Sequence, residues 1–236
     1  MMPAPRVHIL CLMLLVLCAP YVGACGRQEQ EQRKAFIAFL EKDVMAAGAD
    51  RVRISDTTRK KIGNYLRHFD VIAAYSKDLG DINARLAGEK TRIAALGPVP
   101  MDKIGSERAR IERLAAALFR SAQQVEAVKT RADAARAALK QPEDVRAAFD
   151  KAYEKEVGGY AAALRDLYAV QKDFYDEAAR MGMFFEKHGE KIQIRNNAVT
   201  IDEQALAAEY NALQSALQEK SRKMQDALAP GRSPAR

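Results

Sequence analysis

The chain has 236 residues and a formal net charge of +7, with 48% hydrophobic and 29% charged residues. That balance excludes an intrinsically disordered chain and fits one domain, or two small ones. Trp is absent, and Gly and Pro gather at breaks between stretches rich in Ala, Leu, Lys, Arg, Glu and Gln, a bias toward helices.

Residues 7–19 (VHILCLMLLVLCA) are almost wholly apolar, with Arg6 as a positive flank and Pro20 as a break. These are the parts of a secretory signal. The apolar run falls short of the roughly 20 residues that a spanning helix needs. All three cysteines, Cys11, Cys18 and Cys25, lie at this end of the chain. Removal of residues 1–24 as a signal peptide leaves Cys25 with no disulfide partner. The segment Val22-Gly23-Ala24-Cys25 resembles the lipobox of bacterial lipoproteins, aliphatic, small, small and cysteine, with Val22 where leucine is usual. The resemblance implies a diacylglyceryl thioether on Cys25, cleavage before it and acylation of the new amine. Two or more fatty chains anchor stably where one binds marginally. Gly26 stands where an aspartate retains enterobacterial lipoproteins at the inner membrane, so the expected location is the outer membrane, facing the periplasm. The alternative is an ordinary secretory signal that leaves a free cysteine.

Residues 25–31 read as a polar, lipid-anchored tether. A first helix is expected from about Gln32 to Gly48, on the spacing of Phe36, Ile37, Phe39, Leu40, Val44 and Met45. Ser55 and Asp56 offer an N-cap for a second, carrying Ile62, Tyr65, Leu66, Phe69, Ile72 and Tyr75. Gly80-Asp81 breaks or bends it, and Gly97 to Pro100 (GPVP) stops it. Ile104, Ile111, Leu118, Val125, Ala132 and Leu139 then recur every seven residues, with Leu114, Ser121, Val128 and Ala135 as a second row. This heptad seam predicts a helix of roughly 55 Å. It suits either a long helix in an antiparallel bundle or a free coiled-coil dimer. The alanine-rich stretch and Glu107 in the seam favour the bundle.

Pro142 suits the first turn of the next helix, with Val145, Phe149 and Tyr153 at fours. Gly158-Gly159 is expected to separate it from a long helix bearing Leu164, Leu167, Tyr168, Phe174, Tyr175, Met181, Phe184 and Phe185. Residues 191–201 (KIQIRNNAVTI) then read as a hairpin turning at Asn196-Asn197. That register pairs Ile194 with Val199 and Ile192 with Ile201, so all four share one face. Asp202 is the expected cap of a last helix reaching Leu228, striped by Leu206, Tyr210, Leu213 and Leu217. Residues 230–236 read as a flexible tail. The expected fold is mainly α: an antiparallel helical bundle over residues 32–229 with one small hairpin.

Chemistry finds little purchase. His68 and His188 have no histidine or cysteine at ligand spacing, so no metal site is expected, and both read as helix-end or surface residues. Gly88 to Thr91 (GEKT) lacks the first glycine of a phosphate-binding loop, since position 84 is Ala84. The expectation is no enzyme, no cofactor and no nucleic-acid partner. The charges interleave, as in residues 107–113 (ERARIER), which reads as a solvated helix face.

Four stretches, EQRKAFIAFLEKDVM, ADAARAALKQPEDVRAAFDKAY, IQIRNNAVTIDEQALAAEYN and the lipobox, are collinear along the chain. On them the sequence resembles the YiaF-like family of uncharacterised bacterial lipoproteins. The resemblance implies a place in the cell envelope and brings no reaction or catalytic residues. The expected role is structural or interactive, membrane-held through Cys25 with a protein partner in the envelope. A carrier holding a lipid or small apolar ligand against the aromatics of residues 164–185 is the alternative.

Overall fold

The computed structural model describes residues 19–94, 103–195 and 198–229, with the side chains of all but 19–25 and 92–94. Helix α1 (Ala19–Phe39) widens into a π turn at Leu40–Val44 and closes at Met45–Ala47, where Gly48 takes a φ of 90°. It starts earlier than the expected Gln32, so residues 25–31 are helical rather than irregular. Gln, Glu and Arg are good helix formers, but residues 26–31 are exposed and carry no apolar stripe to announce a helix.

Ser55 caps α2 (Asp56–Ile62) as expected, its Oγ accepting the Thr58 N–H at 3.1 Å. A tight turn at Gly63–Tyr65 leads into α3 (Leu66–Ala94), which runs unbroken through Gly80. The expected stop at residues 97–100 lies outside the described residues.

Helix α4 (Arg108–Ala137) carries the heptad rows from Ile111 to Ala135; Ile104 and Leu139 lie beyond its ends, so at about 45 Å it is shorter than expected. Ile111, Leu118, Val125 and Ala132 are buried, as are Leu114, Ser121 and Val128. Ala135 is exposed and Leu139 half-buried, so the seam fades at its C-terminal end. The neighbours that cover it come from the same chain. Arg131 pairs with Asp78 and Arg85 reaches Gln124, which sets α3 antiparallel to α4. Arg108 pairs with Glu186 and Arg165 with Glu126, which sets α6 (Tyr160–His188) antiparallel to α4 on another side. The seam is therefore the core of an intramolecular bundle. Close approach is visible where α6 passes Ile104: a Cβ at Gly182 would lie 3.0 Å from the Ile104 carbonyl oxygen.

Helix α5 (Glu143–Tyr153) begins directly after Pro142, which stands at the cap itself; its carbonyl accepts the Arg146 N–H at 2.9 Å. The Gly158-Gly159 pair does not break the chain. A second π turn, Glu154–Gly159, joins α5 to α6, and Gly159 keeps a helical φ of −63°. The extra residue in the wide turn rotates Glu156 and Val157 into the interior. Glu156 Oε2 accepts the Ala49 N–H at 2.9 Å, and the Lys155 ammonium donates to the Met45 carbonyl. Both contacts hold the end of the first helix, where carbonyls lack partners and a cation is favoured.

Strands β1 (Ile192–Arg195) and β2 (Ala198–Ile201) pair antiparallel with Ile192 opposite Ile201 and Ile194 opposite Val199, the register expected. The Asn196-Asn197 turn lies outside the described residues. Helix α7 (Gln204–Leu228) starts two residues beyond Asp202; Glu203 stands at its cap in an extended conformation without a side-chain bond, so Asp202 is not the cap. Lys220 reaches back to Asp173 and Tyr210 meets Phe184, which lays α7 antiparallel on α6.

Two apolar clusters result. The larger joins α1, α3, α4, α5 and the start of α6. The smaller gathers Met181, Phe184, Phe185, Leu206 and Tyr210, with the apolar face of the hairpin lying against it. A lone hairpin is marginal in water; here its isoleucines and Val199 are half-buried on helices. Tyr175 packs against both clusters and connects them.

Candidate functional site

Residues Val22, Gly23, Ala24 and Cys25 follow one another within α1, described by their backbone alone. The same helix continues without interruption to Phe36, which is fully buried. One turn beyond Cys25, α1 forms a wall of a cleft of about 460 Å³. Gln28, Glu29 and Gln32 come from α1, and Asn64, Tyr65, Arg67 and His68 from the start of α3 and the turn before it. Lys140 and Pro142 close the cleft from the α4–α5 connection. Gln28, Glu29 and Gln32 lie three, four and seven residues beyond position 25, the spacing that shares one helix face.

His68 lies in the first turn of α3, a helix-end place as expected, but it is not at the surface. It is 2% exposed, on the face of α3 that also buries Ile72 and Tyr75, with Tyr65 of the preceding turn buried beside it. Phe36 and Tyr65 meet its ring edge to face, at 6.1 and 5.2 Å between centroids. Gln141 lies 3.1 Å from Nδ1 and the Arg67 Nε 3.4 Å from Nε2, so both ring nitrogens have neighbours within the fold. Burial, reinforced by the Arg67 charge, holds the imidazole below its usual range. The unfolded chain therefore takes up this proton near pH 6.5, and the folded chain only below it. Stability is full above that pH and falls as pH drops through the window below it. Urea midpoints measured across this window should show a steeper loss for the wild type than for His68→Gln.

The walls are tied down by polar contacts. The Tyr65 hydroxyl donates to Glu29 at 3.5 Å, and burial, then the Glu29 carboxylate, raise its pKa. Arg33 pairs with Asp144 beside the cleft, and this bond holds the Asp144 carboxyl below its usual range. Asp144 also accepts the Val145 N–H at 2.9 Å, fixing the start of α5. Gln32 lies over Gly63, which has a φ of 58°: a Cβ there would come within 2.2 Å of the Gln32 amide.

Two other concave regions carry polar contacts of their own. In a cleft of about 530 Å³ near Leu139, Arg136 pairs with Asp150 at 2.9 Å and stacks over Tyr153, which donates to Asp133 at 2.7 Å, while Arg146 reaches only the Gln141 carbonyl, at 3.4 Å. A shallower cleft of about 250 Å³ lies between α3 and α6. There Tyr168 donates to Asn83 at 2.5 Å and Lys90 to Gln171 at 2.7 Å. Burial pushes Tyr168 up to about 12 and lowers Lys90. Lys90 of the GEKT stretch is thus a helical residue within α3 and belongs to no loop. His188 ends α6 against Phe184, at 5.3 Å between centroids. Among the described residues, no group of three or more His, Cys, Asp or Glu side chains is placed to hold a metal ion. Among the same residues, no helix is long and apolar enough to cross a membrane.

A family model described as a protein of unknown function (DUF3053) matches residues 11–230. The chain belongs to the DUF3053 family. It is 28% identical over 193 residues to the uncharacterized protein YiaF of Escherichia coli K12, covering 81% of each chain. The YiaF proteins of Escherichia coli O157:H7 and Shigella flexneri match to the same extent. No solved structure matches the DUF3053 chain. The family match therefore covers the later part of the signal-like segment, every described helix and the hairpin, and its description names no reaction for the cleft.

Gln28, Glu29, Asn64, Arg67 and Lys140 of this cleft escape sequence reasoning because they are polar, come from three separated segments and match no motif. The available signal was the row of Gln28, Glu29 and Gln32 behind Cys25, which reads as a helix face only once residues 25–31 are taken as helical.

Proposed function

We propose that this is a non-catalytic lipoprotein of the bacterial cell envelope with a structural or protein-interaction role. Cys25 is its acylation site, and the domain faces the periplasm, from the outer membrane. The observation that carries this reading is the junction itself. An apolar, small-residue run ends at Cys25, and the helix containing it leads directly into the core at Phe36. At 1.5 Å per residue, that strut sets the packed domain about 16 Å from the acylated end. A helical strut fixes the orientation of the domain relative to the bilayer, as a scaffold or adaptor requires. The engaged nitrogens of His68 support a structural use of that histidine rather than proton transfer.

Crosslinking in living cells with the full anchored chain tests the role. The expected result is one strongly enriched envelope protein. Recovery of abundant neighbours alone, together with an apolar ligand in the solvent extract of the purified protein, would shift the assignment to the carrier reading. The specific observation behind that second reading is the cleft of about 250 Å³ beside Leu86, Leu164 and Leu167.

A further inference from the structure

We propose that the cleft beside Cys25 binds the phosphoethanolamine headgroup of a phospholipid, its phosphate on Arg67 and Lys140 and its ammonium on Glu29. The inference rests on the membrane-anchored reading and adds a ligand to it.

Three observations converge. The first is charge. Arg67 and Lys140 line the cleft from different segments, and among the described residues neither has a carboxylate within ion-pair distance. Neighbouring arginines are used otherwise: Arg33 is held by Asp144 and Arg136 by Asp150. A guanidinium and an ammonium facing one cavity match the oxygens of a phosphate diester. The second is the opposing carboxylate. Glu29 lines the same cavity with a long hydroxyl contact from Tyr65 and the more distant charge of Arg33, which is itself bound to Asp144; among the described residues no cation lies within ion-pair distance of it. A purely anionic ligand would leave Glu29 without a direct cation and be repelled by it. A zwitterion satisfies both signs. The amides of Gln28, Gln32 and Asn64 supply neutral hydrogen-bonding groups along the same wall.

The third is position. Gln28 follows Cys25 by three residues, and the cleft opens along the helix face that position 25 shares. A chain acylated at Cys25 would carry this cleft at headgroup depth, where phosphoethanolamine is concentrated by the bilayer itself. The volume, about 460 Å³, falls among small-ligand sites.

The test uses the full mature chain in detergent, titrated calorimetrically with glycerophosphoethanolamine, glycerophosphoglycerol and inorganic phosphate. Glycerophosphoethanolamine should bind best, and Lys140→Gln or Arg67→Gln should weaken it by about tenfold, the loss of one charge-assisted contact. Glu29→Gln should erase the preference over glycerophosphoglycerol while retaining phosphate-diester binding. Lys140, Arg67 and Glu29 are exposed, so these variants keep the core; a thermal melt matching the wild type confirms it. Absence of glycerophosphoethanolamine binding overturns the proposal, as does binding that the three variants leave unchanged. Equal affinity for inorganic phosphate would also overturn it, since a free anion site would then explain the cations. The titration reads the cleft whether or not Cys25 carries lipid. Loss of acylation with intact binding would therefore sink the anchor reading alone, and acylation without binding would sink the headgroup site alone.

Discussion

Cys25→Ser is expected to abolish fatty-acid labelling of this protein completely. Cells fed an alkyne fatty acid should yield a labelled wild-type band, and the serine variant should yield none. The chemistry is specific to sulfur: the modifying enzyme transfers a diacylglyceryl group to a thiol, and a serine hydroxyl is a far poorer nucleophile at neutral pH. Cleavage follows lipidation, so the variant should also migrate as the longer precursor that retains residues 1–24. Cys11→Ser and Cys18→Ser serve as internal controls, because those thiols lie within the apolar run and should leave the mature chain with the signal. Each should keep full labelling and normal length. Each buried methylene of an acyl chain contributes about 0.8 kcal/mol, so two chains anchor the protein stably where one would bind marginally. Label retained on Cys25→Ser would place the lipid elsewhere and remove the anchor from the proposed function.

The elements that sequence periodicity carries best are those with one apolar face against one neighbour. The heptad rows of α4 and the two-residue alternation of the hairpin are of this kind, and the observed register of Ile192, Ile194, Val199 and Ile201 follows from the alternation together with a two-residue connection at 196–197. Continuity between helices is less legible. Gly158-Gly159 has the composition of a break, yet the tertiary contacts of Glu156 with Ala49 and Lys155 with Met45 stabilise a π turn that spans it. Polar helices are the opposite failure. Residues 26–31 have helical propensity and no buried face, so the hydrophobic pattern is silent there. The cleft depends on that silent segment. The burial of His68 is hidden for a related reason: a polar residue one position before Phe69 reads as solvent-facing, but Phe36 and Gln141, distant in sequence, give it an enclosed and hydrogen-bonded place.

The last test therefore concerns Phe36, the residue joining the exposed half of α1 to the core and to the floor of the cleft. Its side chain is fully buried and meets Tyr65 at 5.7 Å, Phe39 at 6.5 Å and His68 at 6.1 Å between ring centroids. Phe36→Ala removes this ring and leaves a cavity among side chains that α3 holds in place, a loss of about 3–5 kcal/mol. For a domain of this size each kcal/mol lowers Tm by about 2–4 °C, so the melting shift should be on the order of 10 °C. Phe36→Leu keeps much of the volume and should cost clearly less. The two variants should also differ in what they do to the cleft. With Ala, Tyr65 and His68 lose the ring that orients them, and the His68-dependent fall in stability toward acid pH should flatten as water reaches the imidazole. With Leu, the acid sensitivity should persist at a lower overall stability. If Phe36→Ala melts within about 2 °C of the wild type, less than one kcal/mol is at stake, and α1 does not dock through this residue. The rigid strut between Cys25 and the bundle would then lose its structural basis.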